Sequence, residues 1–196
     1  QDDNESYSEF DEHGNPIYAE YGNDEHEYEY KYDKNGNILK EVYSVNGEEV
    51  YIIVREYDKK NNVTYYEHTD CQDDEHSYAR VHEYEYDKKG NITEDVCYDY
   101  DTDEDIYVET NEYDKNGNLV YTERETYGNI FTVEYEYDKK GNLVVMTNYD
   151  DDEEETYRYE YEYDKNGNKT AMYTYYKEEL KSYTEYSWFK TAKKLT

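Results

Sequence analysis

Carboxylates dominate the side chains that could do chemistry. Of 196 residues, 52 are Asp or Glu and 21 are Lys or Arg, giving a formal net charge of −31. The acids gather in runs that no Lys or Arg interrupts: Asp73-Asp-Glu75, Asp101 to Asp105, and the stretch from Asp150 to Glu155. Several carboxylate oxygens together are what a hard cation such as Ca²⁺ selects. Asp99-Tyr-Asp101-Thr-Asp103-Glu-Asp105-Ile106 sets acids at alternate positions, like the opening of a helix–loop–helix calcium loop. It departs at Glu104, where the turn glycine belongs, and at Thr110, where a bidentate Glu is needed. Asp150, Asp151 and Asp152 form a second candidate set. The competing reading is that these acids keep a tyrosine-rich surface soluble.

Imidazoles and thiols offer less. His68-Thr-Asp-Cys71 followed by His76 brings zinc-type ligands together, but at a spacing that fits no standard closed site. Cys71 and Cys97 are the only cysteines. With one strand between theirs, their Cα atoms would stand roughly 9–10 Å apart, beyond disulfide reach, so two free thiols are expected. No Gly-rich phosphate loop or nucleophile elbow is present, and no other His–Cys pairing stands out. The chain reads as a non-enzyme. Its charge disfavours nucleic acid and anionic membrane surfaces as partners. No apolar run reaches the length of a membrane-spanning helix.

The elements that must position these groups are written in a repeat. Tyr-Asp opens a hexad at Tyr32 to Asn37, Tyr57 to Asn62, Tyr86 to Asn91, Tyr113 to Asn118, Tyr137 to Asn142 and Tyr163 to Asn168. A looser copy runs from Phe10 to Asn15. Asp accepts backbone N–H groups within a turn, two residues fit type I geometry, and Gly takes the left-handed conformation. This predicts a three-residue hairpin loop with a bulge. Asn61 replaces Gly in one copy, and Asn is the next most tolerant residue there.

The flanks alternate with period two, as in Val133-Glu-Tyr-Glu-Tyr137. If Asp and the last Asn flank the loop, Tyr32 faces Ile38, Tyr86 faces Ile92, Tyr137 faces Leu143 and Tyr135 faces Val145. Such pairs contribute roughly 0.2–1 kcal/mol each. Only 27 residues are Leu, Ile, Val or Phe, which with this charge would suggest disorder, but 32 tyrosines argue for a folded, half-buried sheet. Second turns fall at Asn46-Gly47, Asp70 to Glu75, Asp99 to Asp105, Gly128-Asn129, Asp150 to Glu155 and Lys177 to Leu180. The expected fold is all-β: an antiparallel meander of about 14–16 strands in one open or rolled sheet. Residues 1–196 form a single hairpin array, with a degenerate terminal unit at 177–196.

Tyr-Asp-x-x-Gly-Asn recurring at spacings of 22 to 29 residues resembles the YD-repeat family, which includes rearrangement-hotspot proteins and teneurins. The resemblance covers Phe10 to about Thr174 and implies a secreted or surface β-scaffold, sometimes carbohydrate-binding, with no catalytic residue carried over. The family's commoner pattern has Gly-Arg where this chain has Gly-Asn.

The chain opens at Gln1 with polar, acidic residues, which a removed signal peptide would explain and so would a trimmed N-terminus. Secretion or display at the cell surface is the expectation. Tyrosine stripes serve either as cross-strand glue or as a stacking surface for sugars or a protein partner. Three roles follow: a carbohydrate or cell-wall binding module, a structural or protein-interaction module, and a Ca²⁺-dependent surface module using the acidic loops. The strings Asn62-Val-Thr64, Asn91-Ile-Thr93 and Asn168-Lys-Thr170 fit the glycosylation pattern but are expected as by-products of the turn sequence.

Overall fold

The computed structural model describes residues 7–71, 79–102 and 104–187, and among them there is no helix. The first strands are β1 (Tyr7–Phe10), β2 (Pro16–Tyr21), β3 (Asp24–Tyr32), β4 (Ile38–Val45) and β5 (Glu48–Tyr57). Next come β6 (Val63–Asp70), β7 (Ala79–Tyr86), β8 (Ile92–Asp99), β9 (Asp105–Tyr113) and β10 (Leu119–Thr126). The series ends with β11 (Asn129–Tyr137), β12 (Leu143–Tyr149), β13 (Glu155–Tyr163), β14 (Lys169–Tyr176) and β15 (Glu179–Glu185). Order in the sheet is order in the chain, an open meander of 15 strands from β1 to β15. Two compact units are distinguished, Gln1–Val108 and Glu109–Thr196.

Every hexad makes the same corner. The Asp backbone N–H donates to the carbonyl of the sixth residue at 2.9 Å, and the N–H of the fifth returns to the Asp carbonyl at 3.0 to 3.2 Å. The Asp carboxylate closes it from the side. In the fifth copy Asp114 Oδ1 accepts the backbone N–H of Asn116 at 2.7 Å and of Asn118 at 2.9 Å, while Oδ2 accepts the Asn118 amide at 3.0 Å. The fifth residue must be left-handed: φ is 86° at Gly141, and Asn61 manages the same role at 66°.

The corner leaves a bulge, and the bulge decides which side chains meet. Tyr137 does stand opposite Leu143, as Tyr32 stands opposite Ile38 and Tyr86 opposite Ile92. One step further the expected pairing fails, because the register shifts between Glu136 and Tyr137 and Tyr135 meets Met146, not Val145. The extra residue switches the parity of everything beyond it.

Two kinds of opposite corner recur among the described residues. Asn46-Gly47, Tyr127-Gly128 and Lys177-Glu178 each place two residues at positive φ, the type I′ signature. The expected Gly128-Asn129 turn therefore lies one residue earlier, with Asn129 already paired to Thr126. A further tight turn, at Gly22 between β2 and β3, was not foreseen from sequence. The acidic run at Asp150 turns out to be the hexad corner in disguise. Asp150 N–H donates to the Glu154 carbonyl, Asp150 Oδ1 accepts from the N–H groups of Asp152 and Glu154, and Glu153 sits at φ 60° in the glycine position.

Neighbouring repeats are latched through the hexad tyrosine. Tyr57 donates its hydroxyl to the Ile38 carbonyl at 3.0 Å, and Tyr86 donates to the Val63 carbonyl at 2.6 Å. Tyr32 donates to the Asp11 carboxylate and accepts the Asn15 amide. Each reaches the strand or corner of the repeat before it. Buried apolar side chains among the described residues are few and mostly small: Ala19, Val42, Ile53, Ala79, Val81, Cys97 and Ala171. Half-buried tyrosine therefore does what aliphatic burial does elsewhere.

Two stability measurements test this account. Gly141 has open space where a Cβ would stand, so φ alone decides, and Gly141→Ala should cost about 1–2 kcal/mol in urea unfolding. Glu153→Gly, relieving the same conformation, should stabilise by about 1 kcal/mol. Separately, Tyr86→Phe should cost about 1 kcal/mol for the lost latch, whereas Tyr127→Phe, at a corner where the ring is 81% exposed, should be near neutral.

Candidate functional site

Alternation along the strands sorts the side chains of each unit onto two faces. In the first unit one face carries rings against rings. Tyr21, His26, Tyr43, Tyr51 and His68 form a row across β2 to β6, with successive centroids 5.1 to 5.9 Å apart. Tyr28 stacks on Tyr43 at 4.8 Å, and His26 Nδ1 lies 2.7 Å from the Tyr43 hydroxyl. These rings are half-buried except Tyr21. Tyr28 and Tyr30, two apart on one strand, lie within 2° of parallel at 6.5 Å.

Further along this face is a polar node that the sequence did not signal. His82 Nδ1 lies 3.0 Å from Asp95 Oδ1, and Tyr107 donates to Asp95 Oδ2 at 2.8 Å. Cys97 stands opposite His82 on β8. The residues are scattered over β7, β8 and β9, so only strand pairing could have revealed them. Cys97 is 2% exposed, and a thiol so enclosed is shielded from substrate. It is in no disulfide, and neither is Cys71.

The other kind of face joins tyrosine to glutamate. Tyr65 donates to Glu67 at 2.8 Å and Tyr98 to Glu83 at 3.0 Å in the first unit. In the second, Tyr121 donates to Glu123 at 2.9 Å, Tyr149 to Glu134 at 3.1 Å and Tyr173 to Glu162 at 3.2 Å. Between β9 and β11 this surface holds a groove of about 670 Å³ lined by Thr110, Glu112, Tyr121, Glu123, Glu134 and Glu136. Tyr121, Glu123 and Glu134 also border a smaller hollow that continues to Tyr149 and Asp151. Rings and carboxylate oxygens alternate there. The surface is rich in hydrogen-bond acceptors, with the Tyr121 ring beside them, which suits a ligand with many O–H or N–H donors.

The acids singled out from sequence are otherwise placed. Asp99 Oδ1 accepts from the N–H groups of Asp101 and Thr102 and from the Thr102 hydroxyl, so it organises its own loop. Asp101 is exposed, Asp105 begins β9, and Asp103 lies outside the described residues. Asp150 is committed to its corner, with Asp151 and Asp152 exposed beside it. Among the described residues no group of three or more His, Cys, Asp or Glu side chains gathers as a metal would require. Of the zinc-type set, His68 packs on Tyr51, the Cys71 N–H donates to the Val50 carbonyl, and His76 lies outside the described residues. Asn62, Asn91 and Asn168 donate their amides to Asp58, Asp87 and Asp164 of their own corners.

Protonation equilibria carry the same architecture. The sixth-position N–H holds the Asp33, Asp58, Asp87 and Asp114 carboxyls below their ordinary value, and the Asn side-chain amide leads the same effect at Asp138 and Asp164. Tyrosines move upward. Burial pushes Tyr30, Tyr84 and Tyr121 to about 12, and Tyr51 and Tyr65 further in the same direction.

No family model matches the sequence, and no curated protein does. Among solved structures 38 chains match. Two of them are TcdB2-TccC3-TEV and TcdB2-TccC3 without its hypervariable C-terminal region. Each covers 92% of this chain at 10% identity with a TM-score of 0.23. This chain spans 15% of their length. A likeness of that degree carries nothing about activity or partners.

The shifts set the pH limits of the fold. The raised tyrosines favour the neutral phenol in the folded state, so their stabilisation is complete below the ordinary value of 10.0 and is lost as pH climbs towards about 12. Circular dichroism should show unfolding across that window, with tyrosinate absorbance rising in step. The depressed corner aspartates act at the other end. Their stabilisation is present above the ordinary value of 3.8 and is lost as pH falls through the lower folded value. Carboxyl NMR titration should find Asp114 below the ordinary value of 3.8.

Proposed function

We propose that this chain is a non-catalytic scaffold of the YD-repeat kind, working outside the cell or at its surface, which binds carbohydrate on its tyrosine–glutamate face. The groove between β9 and β11 carries the reading, because it combines the Tyr121 ring with the carboxylates of Glu112, Glu123, Glu134 and Glu136. A pyranose presents apolar C–H bonds on its faces and hydroxyl donors around its rim. Stacking on tyrosine and donating to glutamate meet both needs at once. The volume is in the range of small-ligand sites. Carboxylate walls also select: neutral sugars and amino sugars are compatible, whereas sulfated or uronic glycans would be repelled.

A second reading, structural scaffolding alone, is favoured by the ring row from Tyr21 to His68, where stacking is spent on holding strands together. A glycan array separates the two. The binding reading expects neutral or amino-sugar oligosaccharides to be retained, and Tyr121→Ala to weaken them by about tenfold, the equivalent of about 1.4 kcal/mol. A blank array with folded protein would leave the scaffold reading in possession.

A further inference from the structure

Among the ring pairs, one at the last hairpin is arranged for oxidation. Tyr173 on β14 and Tyr183 on β15 stand directly opposite in the strand register. Their centroids are 4.9 Å apart and their planes are inclined by 36°. Tyr183 is 48% exposed, so an oxidant can reach it. Both hydroxyls already donate to a carboxylate, Tyr173 to Glu162 Oε1 at 3.2 Å and Tyr183 to Glu185 Oε1 at 2.6 Å. A phenol gives up an electron more readily when its proton can leave to a bonded base in the same event, and here each ring has its own base.

We propose that Tyr173 and Tyr183 form a site of covalent modification, coupled through their ortho carbons to a dityrosine by a haem peroxidase using hydrogen peroxide. Each ring loses one electron to the oxidant and its phenolic proton to its glutamate. The two phenoxyl radicals join in one new C–C bond between ortho carbons. Rearomatisation breaks the two ortho C–H bonds and returns the hydroxyl protons. The sum is two electrons and two protons lost from the rings, which reduce one peroxide to two waters. The product fastens β15 to β14.

The choice of pair rests on differences between neighbours. Tyr157 and Tyr176 are also opposed, at 5.1 Å, and both are exposed. Their planes are inclined by 52°, and Lys181 Nζ lies 5.8 Å from the Tyr176 ring centroid. A cation beside the ring opposes the loss of an electron. Tyr28 and Tyr43 are as close, at 4.8 Å, but both are half-buried, whereas the half-buried Tyr173 has an exposed partner in Tyr183.

The test is oxidation of the full chain at low concentration with a haem peroxidase and hydrogen peroxide, followed by peptide mapping. The expected product is monomeric, lighter by two hydrogen atoms, blue-fluorescent, and cross-linked between the peptides holding Tyr173 and Tyr183. Tyr173→Phe and Tyr183→Phe, made separately and shown to be folded by circular dichroism, should each abolish that cross-link. Tyr127→Phe should leave it unchanged. Glu185→Gln, which keeps the ring pair but removes a base, should slow its formation severalfold. A monomer with no cross-link, or one whose principal cross-link joins other tyrosines, would overturn the assignment. So would a cross-link that survives in either Phe variant.

Discussion

The structure depends on one recurring interaction, the capture of two backbone N–H groups by an aspartate carboxylate inside a five-residue corner. At Asp114 the same oxygen receives the N–H groups two and four residues on, and the geometry returns at Asp33, Asp58, Asp87, Asp138 and Asp164. Once the carboxylate has fixed those donors, the chain must reverse with a left-handed fifth residue and a bulge. The bulge then fixes register, and register fixes which side chains share a face. A local hydrogen-bond pattern thereby sets an arrangement that extends over fifteen strands.

Given that frame, tyrosine resolves a conflict in the composition. A chain with so much negative charge and so few aliphatic residues cannot assemble a dry core. Tyrosine supplies apolar ring area to neighbouring rings, as from Tyr28 to Tyr43 and on to Tyr51, and also carries a hydroxyl. At Tyr121, Tyr149 and Tyr173 that hydroxyl finds a carboxylate acceptor in Glu123, Glu134 and Glu162, so the charge is used as well as tolerated. The hexad tyrosine has a further task. Tyr57 and Tyr86 reach back to carbonyls of the preceding repeat and tie the units in sequence. The same side chain is cohesive within a repeat and between repeats, and the tyrosine–glutamate surface that results is the one on which ligand recognition is proposed.

Much of this was legible in the residues. The hexads named the corners, and period-two alternation named the strands. Asn61 in place of glycine confirmed the left-handed position by chemistry alone. Two kinds of feature were not legible. The corner at Asp150 was hidden because, after the opening Tyr149-Asp150, Glu153 occupies the glycine position and Glu154 the asparagine position. The pairing of Tyr135 with Met146 was missed because the point at which the expected bulge shifts the register, between Glu136 and Tyr137, is not marked in the sequence.

What the sequence determined by itself was the local chemistry: where the chain turns, which segments extend, and that the product is an antiparallel meander. These follow from interactions between residues a few positions apart, whose energies are written in residue type. Only the tertiary structure decided which distant side chains meet. The groove around Tyr121, the His82–Asp95–Tyr107 node and the opposition of Tyr173 to Tyr183 each require residues from two or more strands. Their proximity depends on register accumulated through successive bulges, and one residue more or less at any corner would have turned those side chains to the other face.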